Sequence, residues 1–239
     1  NGETLVSLNP GTELVPASLL KVPLAQVALS TLGEGFRFET HFYLNSSGDL
    51  LVRGLGDPFL VSEEIAHIVD TLAERGLKQI RRLVMDDSAF ESNPDLPIES
   101  STNQPYGARN SALAVNFITG EPQTPLTALA RELGAQLSPG EKQRINLGDD
   151  PAAGLLQAQQ LFLHFLVESD ITLSDTDFYH KAVTKEWRLF YSHRSSQSLR
   201  DNLEGLLRYS NNFIANQLFL TLGVQDSDYP ATAKSARAA

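Results

Sequence analysis

The stretch whose reading decides the fold is Pro16-Ala17-Ser18-Leu19-Leu20-Lys21. It opens a mostly apolar helical pattern: Leu19, Leu20, Val22, Leu24, Ala25, Val27, Ala28 and Leu29 predict a helix from about Ser18 to Leu32, stopped by Gly33. Pro23 falls close to the first turn, where backbone N–H groups have no intrahelical partner anyway. A helix apolar on nearly every face is expected in the middle of a domain. Ser18 and Lys21, three residues apart, share one helical face. There a lysine amine can reach the hydroxyl, and the helix N-terminus can stabilise developing negative charge. A desolvated lysine can be neutral and take the serine proton. The same spacing also suits a capping serine and a solvated lysine. Spacing alone leaves both open.

Working outward, Thr4 to Leu8 reads as a strand and Asn9-Pro10-Gly11-Thr12 as a turn. Phe36 to Leu44 and Leu50 to Arg53 read as strands joined at Asn45-Ser46-Ser47-Gly48. Gly54 to Pro58 breaks the second. Ser62-Glu63-Glu64 starts a helix running to about Arg75, and Ile80 to Met85 is a further strand ending at Asp86-Asp87. Helices follow at Pro125 to Leu137 and Pro151 to Val167, then a short strand at Ile171 to Leu173. Ser192 to Arg194 reads as a loop, and helices are expected over Ser198 to Tyr209 and Asn211 to Leu222, the latter ending at Gly223. Strands and helices without regular alternation point to α+β.

Composition narrows the function. The 239 residues suffice for a sizeable core, with 41% hydrophobic and 20% charged residues. A net charge of −10 and no dense Lys/Arg cluster argue against a nucleic-acid partner. No run approaches the roughly 18 apolar residues of a spanning helix. Without cysteine there are no disulfides or thiolate metal sites. The chain opens at Asn1 without a leader-like segment, as expected of a mature or trimmed product. The five histidines lack ligand spacing, so no metal or other cofactor is expected. Asp57, Asp86 and Asp87 sit at strand-to-loop turns, where Asp caps backbone N–H groups. Trp187, with Phe190 and Tyr191, reads as core.

Ser210-Asn211-Asn212 adds a second element, Ser-x-Asn, between two helical patterns. Its serine can relay a proton to a leaving amine and its Asn amide can hold a substrate carbonyl. Equally, Ser210 can cap the helix that follows.

Five ordered blocks carry a resemblance. They are Pro16 to Lys21; Gly54-Leu55-Gly56-Asp57-Pro58-Phe59-Leu60; Asp86-Asp87-Ser88-Ala89-Phe90; Tyr106-Gly107-Ala108 through Ser111 to Asn116; and Tyr209 to Leu218. Together they resemble the D-alanyl-D-alanine carboxypeptidase/endopeptidase family, the class C low-molecular-mass penicillin-binding proteins of peptidase family S13. The resemblance implies a penicillin-binding-protein/serine β-lactamase-like α+β fold, with an antiparallel sheet packed against a helical cluster and the site in the cleft between them. It implies Ser18 as the acylated nucleophile, Lys21 as general base, Ser210 as proton relay and Asn212 as substrate-amide contact. Glu99 falls in the loop where the family places an acidic residue near the donor peptide. Implied partners are peptidoglycan stem peptides and β-lactam antibiotics, with a periplasmic or otherwise extracytoplasmic setting and peripheral association with the cell envelope.

The expected organisation is a first part of the catalytic domain at 1–118, a short helical insert at 119–184 in place of larger accessory domains, and a second part at 185–239. One departure is pointed. The family's third element, Lys-Thr-Gly, is absent; Lys234-Ser235-Ala236 lacks the glycine. Two expectations follow: a fold left incomplete at the C-terminus, which we favour, or a catalytically impaired member that binds cell-wall peptide without turnover. A β-lactamase fits poorly, because its two serine elements lie closer together and no deacylating Glu is evident.

Overall fold

The computed structural model describes residues 3–92, 96, 110–115, 151–225 and 229–239. A 3₁₀ turn, Ala17–Leu20, leads directly into helix α1, Lys21–Leu32. Strands β1 (Glu39–Leu44) and β2 (Leu50–Gly54) form a hairpin, followed by α2 (Ser62–Glu74), β3 (Gln79–Ile80) and β4 (Leu83–Asp86). Next come α3 (Pro151–Glu168), β5 (Thr172–Leu173), β6 (Arg188–Arg194), α4 (Leu199–Tyr209), α5 (Asn212–Gln225) and α6 (Ala233–Ala238).

The main sheet has the order β4-β2-β1-β6. β1 runs antiparallel to β2 and β6, while β2 and β4 are parallel. The parallel pair departs from the all-antiparallel expectation because α2 carries the chain across between them, as parallel strands require. Alternation along the strands divides the faces. Leu50, Val52, Leu83 and Met85 point to a core shared with Ile65, Ile68, Val69 and Leu72 of α2 and with Leu161, Phe162 and Leu166 of α3. Leu51 and Val84 point the other way, onto Trp187. The hairpin turn is held by Asn45, whose side-chain oxygen accepts from the Ser47 and Asp49 N–H groups, with Gly48 at φ 79°. A second core joins α1, α4 and α5 through Ala25, Ala28, Leu203, Leu206, Ile214, Ala215 and Leu218, with Phe38 from the chain entering β1. The α+β class read from the sequence is the observed one.

Several local expectations are corrected. Thr4 to Leu8 forms no strand: the stretch is exposed, Leu5 and Val6 at 88% and 89%, and no described strand pairs with it. Helix α1 is not enclosed. Only Lys21, Ala25 and Ala28 are buried, while Val22, Val27 and Leu29 face out, because the contact with α4 and α5 is made by small residues. The stretch 80–85 is divided between two sheets, with β3 pairing to β5. Ser192 to Arg194 is the end of β6, drawn into the sheet by its register with Glu39 to His41. Helix α5 runs past Gly223 to Gln225; that glycine lies against α6, where a Cβ would meet the Ala236 nitrogen at 2.7 Å.

Candidate active site

The 3₁₀ turn decides how Ser18 meets Lys21. With three residues per turn, side chains at i and i+3 eclipse. Ser18 Oγ therefore stands 3.1 Å from Lys21 Nζ. Ser18 is exposed and caps nothing; the N-cap position is Pro16, with no side-chain bond. Lys21 is 2% exposed, so the solvated-lysine alternative is excluded.

The other half of the site comes from a tight junction between helices. α4 starts in a capping box, in which Asp201 accepts from the Ser198 N–H and Ser198 Oγ accepts from the Asp201 N–H. It ends at Ser210, held left-handed at φ 51°. That conformation costs a non-glycine residue about 1 kcal/mol or more and turns the chain at once into α5. Ser210 thus closes one helix rather than capping the next. The cap of α5 is Asn211, whose Oδ1 accepts from the Ile214 N–H at 3.0 Å, a role we did not assign from the sequence. The x of Ser-x-Asn is thereby structural, and an Asn before an apolar helical run was the available signal.

This junction places Ser210 Oγ 2.8 Å from Ser18 Oγ and 3.1 Å from Lys21 Nζ, with Asn212 Oδ1 2.6 Å from the same nitrogen. Four residues spread over 194 positions of sequence converge on one point. Burial holds the Lys21 amine below the ordinary lysine range. The three contacts also fit an uncharged amine. Its two N–H groups satisfy Asn212 Oδ1 and Ser210 Oγ, and its lone pair accepts the Ser18 hydroxyl, while the Ser210 hydroxyl donates to Ser18 Oγ. An ammonium would spend all three protons on the same oxygens and have nothing left to accept a serine proton.

Glu99, the remaining candidate, lies outside the described residues, as do Tyr106 to Ala108 and Asn116. Asp57 and Asp86 serve as turn acceptors for the Phe59 and Ser88 N–H groups. Asp87 instead accepts from Ser111 Oγ and contacts His180 Nε2 at 2.8 Å. Trp187 is core, at 8% exposure. Lys234-Ser235-Ala236 lies in α6, where Ser235 shares a capping box with Thr232, and is not on a strand. No cluster of metal-ligating side chains occurs among the described residues.

The model of the D-Ala-D-Ala carboxypeptidase 3 (S13) family matches residues 1–153. The chain belongs to that family. Similar proteins include a D-alanyl-D-alanine carboxypeptidase of Actinomadura sp. strain R39, 31% identical over 161 residues, and D-alanyl-D-alanine carboxypeptidase DacB of Haemophilus influenzae, 30% identical over 153 residues. These matches cover 62% and 61% of the chain but only 28% and 30% of the relatives. The fold matches penicillin-binding protein 4 of H. influenzae at TM-score 0.74 and 20% identity, over 98% of this chain and 62% of that one. The same protein complexed with a β-lactam matches at TM-score 0.68 and 18% identity, over 97% of this chain and 61% of that one. The S13 match includes Ser18 and Lys21; Ser210 and Asn212 lie beyond it and reach the site through the fold.

Proposed function

We propose that this chain carries the nucleophile and proton-transfer groups of a serine peptidase that cleaves D-Ala-terminated or cross-linked peptidoglycan stem peptides through an acyl-enzyme on Ser18. The observation that carries the reading is the circuit of Ser18, Lys21, Ser210 and Asn212 around one buried, desolvated amine. Membership of the S13 family supplies the substrate class.

In this reading Ser18 Oγ attacks the carbonyl carbon of the D-Ala-D-Ala peptide bond while its proton passes to Lys21 Nζ. Collapse of the tetrahedral adduct breaks the C–N bond. The leaving amine takes its proton from Ser210 Oγ, which is recharged from Lys21 at 3.1 Å. Water then releases the acyl group by the reverse proton path. Asn212 commits its Oδ1 to Lys21, leaving its N–H groups to hold a substrate carbonyl. A β-lactam enters the same way and stops at the acyl stage. The substrate assigns the protein to an extracytoplasmic, periplasmic setting with peripheral envelope contact; among the described residues no helix is long and apolar enough to cross a membrane.

A second reading is that residues 1–239, which contain no Lys-Thr-Gly, bind cell-wall peptide without turnover. Labelling with a fluorescent penicillin tests the first. Wild type is expected to take up label in SDS-stable form, and Ser18→Ala to take up none. A folded wild type that stays dark beside a labelled control enzyme sinks the acyl-enzyme reading and leaves the second.

A further inference from the structure

The apolar contact of α5 with α1 and α4 is made largely by Ala25, Ala28, Ile214, Ala215, Leu218 and Leu206. Such packing is non-directional, so it holds two helices together better than it fixes how far one slides along the other. Yet the circuit at Lys21 depends on distances of 3.1 Å to Ser210 and 2.6 Å to Asn212 across that very contact. Something directional must set the height of α5.

A buried amide network does so. Asn110, 7% exposed, donates through Nδ2 to the Phe213 carbonyl and to Gln217 Oε1, both at 3.1 Å, and accepts through Oδ1 from Asn216 Nδ2 at 3.2 Å. Gln217, fully buried, spends its own Nε2 on the Gly56 carbonyl at 3.2 Å and the Ser111 carbonyl at 2.9 Å. Every hydrogen of both donating amides is used, the condition under which a buried polar network rigidifies. Its anchor is firm: the Gly56 N–H donates to the Ala112 carbonyl at 2.8 Å, and a Cβ on Gly54 would lie 2.1 Å from that same oxygen. The tie thus runs from the end of β2, through residues 110–112, to the first turn of α5, one residue from Asn212 and three from Ser210.

We infer that Asn110 is a positioning residue, which fixes α5 against the sheet and so sets Ser210 and Asn212 at hydrogen-bond distance from Lys21. Among the described residues its hydrogen bonds go to the Phe213 carbonyl, Asn216 and Gln217 and not to the four site residues, so it acts through them. The inference rests on the reading of Lys21 as the base, so its decisive readout needs no substrate.

That readout is the titration of Lys21, followed by NMR of protein labelled at the lysine ε-methylene, in wild type and Asn110→Ala. Burial is what lowers the Lys21 value. If the network sets the height of α5, its loss lets water reach Nζ and the titration moves up toward ordinary lysine. Penicillin acylation at saturating label is expected to fall by about tenfold with little change in apparent binding, the mark of misplaced reacting groups. Leu220→Val, which thins apolar packing elsewhere on α5, should lower the melting temperature and leave the titration in place. Asn110→Ser serves if the alanine variant does not fold, since one hydroxyl cannot bridge both acceptors. An unmoved Lys21 titration in either folded variant overturns the inference. A wild type that takes no label speaks only against the acyl-enzyme reading, and the titration still decides on Asn110.

Discussion

Two polar clusters in this molecule are built on a buried ionisable side chain, and they meet that condition in opposite ways. Around Lys21 a desolvated amine meets three neutral oxygens and, among the described residues, no carboxylate. Around Glu64, on α2, the carboxylate is answered: His193 Nε2 lies 2.7 Å from Glu64 Oε1, and the Ser196 N–H donates to the same oxygen. Those bonds from His193 and Ser196 outweigh burial and draw the Glu64 carboxyl below its ordinary value. A buried charge without a partner is expensive, and desolvation here shifts Lys21 toward its uncharged form. A buried charge with a partner is held in place. The first arrangement leaves a base ready to act; the second joins α2 to the end of β6.

The largest effect that separates the two clusters is expected from Lys21→Met. The substitution keeps most of the side-chain volume and removes the amine, so acylation by penicillin should fall by roughly 10²- to 10⁴-fold. The melting temperature should hold or rise, because the desolvation cost of a buried amine is removed. Across wild type, acylation should climb with pH as Lys21 deprotonates, at a pH below the ordinary lysine range. Because the folded-state value is lowered, the unfolded chain binds more protons between that value and 10.5, and Lys21's contribution to stability grows with pH over that window. A methionine variant that acylates normally would erase the contrast.

Glu64→Ala should show the complementary pattern. It strands His193 and the Ser196 N–H in the interior, a loss of roughly 3–5 kcal/mol by analogy with other broken buried pairs. The acylation rate per folded molecule should not move. Denaturant titration and penicillin labelling on the same sample measure both, and a variant that keeps its stability while losing acylation would reverse the assignment of the two clusters.

How far this contrast could be read from sequence differs between its halves. Ser18, Lys21, Ser210 and Asn212 were legible because short motifs fix which residue types stand where. Helices α2, α3 and α4 were legible because their apolar positions repeat and their starts carry turn and cap residues. The Glu64–His193 pair was invisible: 129 positions separate the two residues, and neither lies in a motif. The strand containing His193 read as a loop because residues 192–194 show no alternation of their own and depend on pairing with β1. The exposed side of α1 was hidden for the opposite reason, since an apolar pattern says what a helix can bury and not what covers it.

The smallest effect concerns Asp57, which shares the second cluster but is only partly answered there. Its Oδ1 accepts from the Phe59 N–H and from Ser195, while Oδ2 is buried without a partner among the described residues. Burial outweighs those bonds and pushes the carboxyl up from 3.8 to about 6. Between those values the folded protein holds a proton that the unfolded chain has released. Asp57's contribution to stability is therefore full below about 3.8 and is lost as pH rises through about 6. The swing is on the order of 3 kcal/mol at most, and Glu64, whose value is lowered, pulls the whole-protein curve the other way. Comparing wild type with Asp57→Asn isolates it, because the amide cannot titrate. The variant carries a constant penalty from its unpartnered N–H groups, yet it should gain on wild type steadily as pH rises from 4 to 7. Urea midpoints across that range measure the difference. A difference that stays flat would mean that Asp57 is charged throughout and belongs with Glu64 and His193 as a fully compensated group.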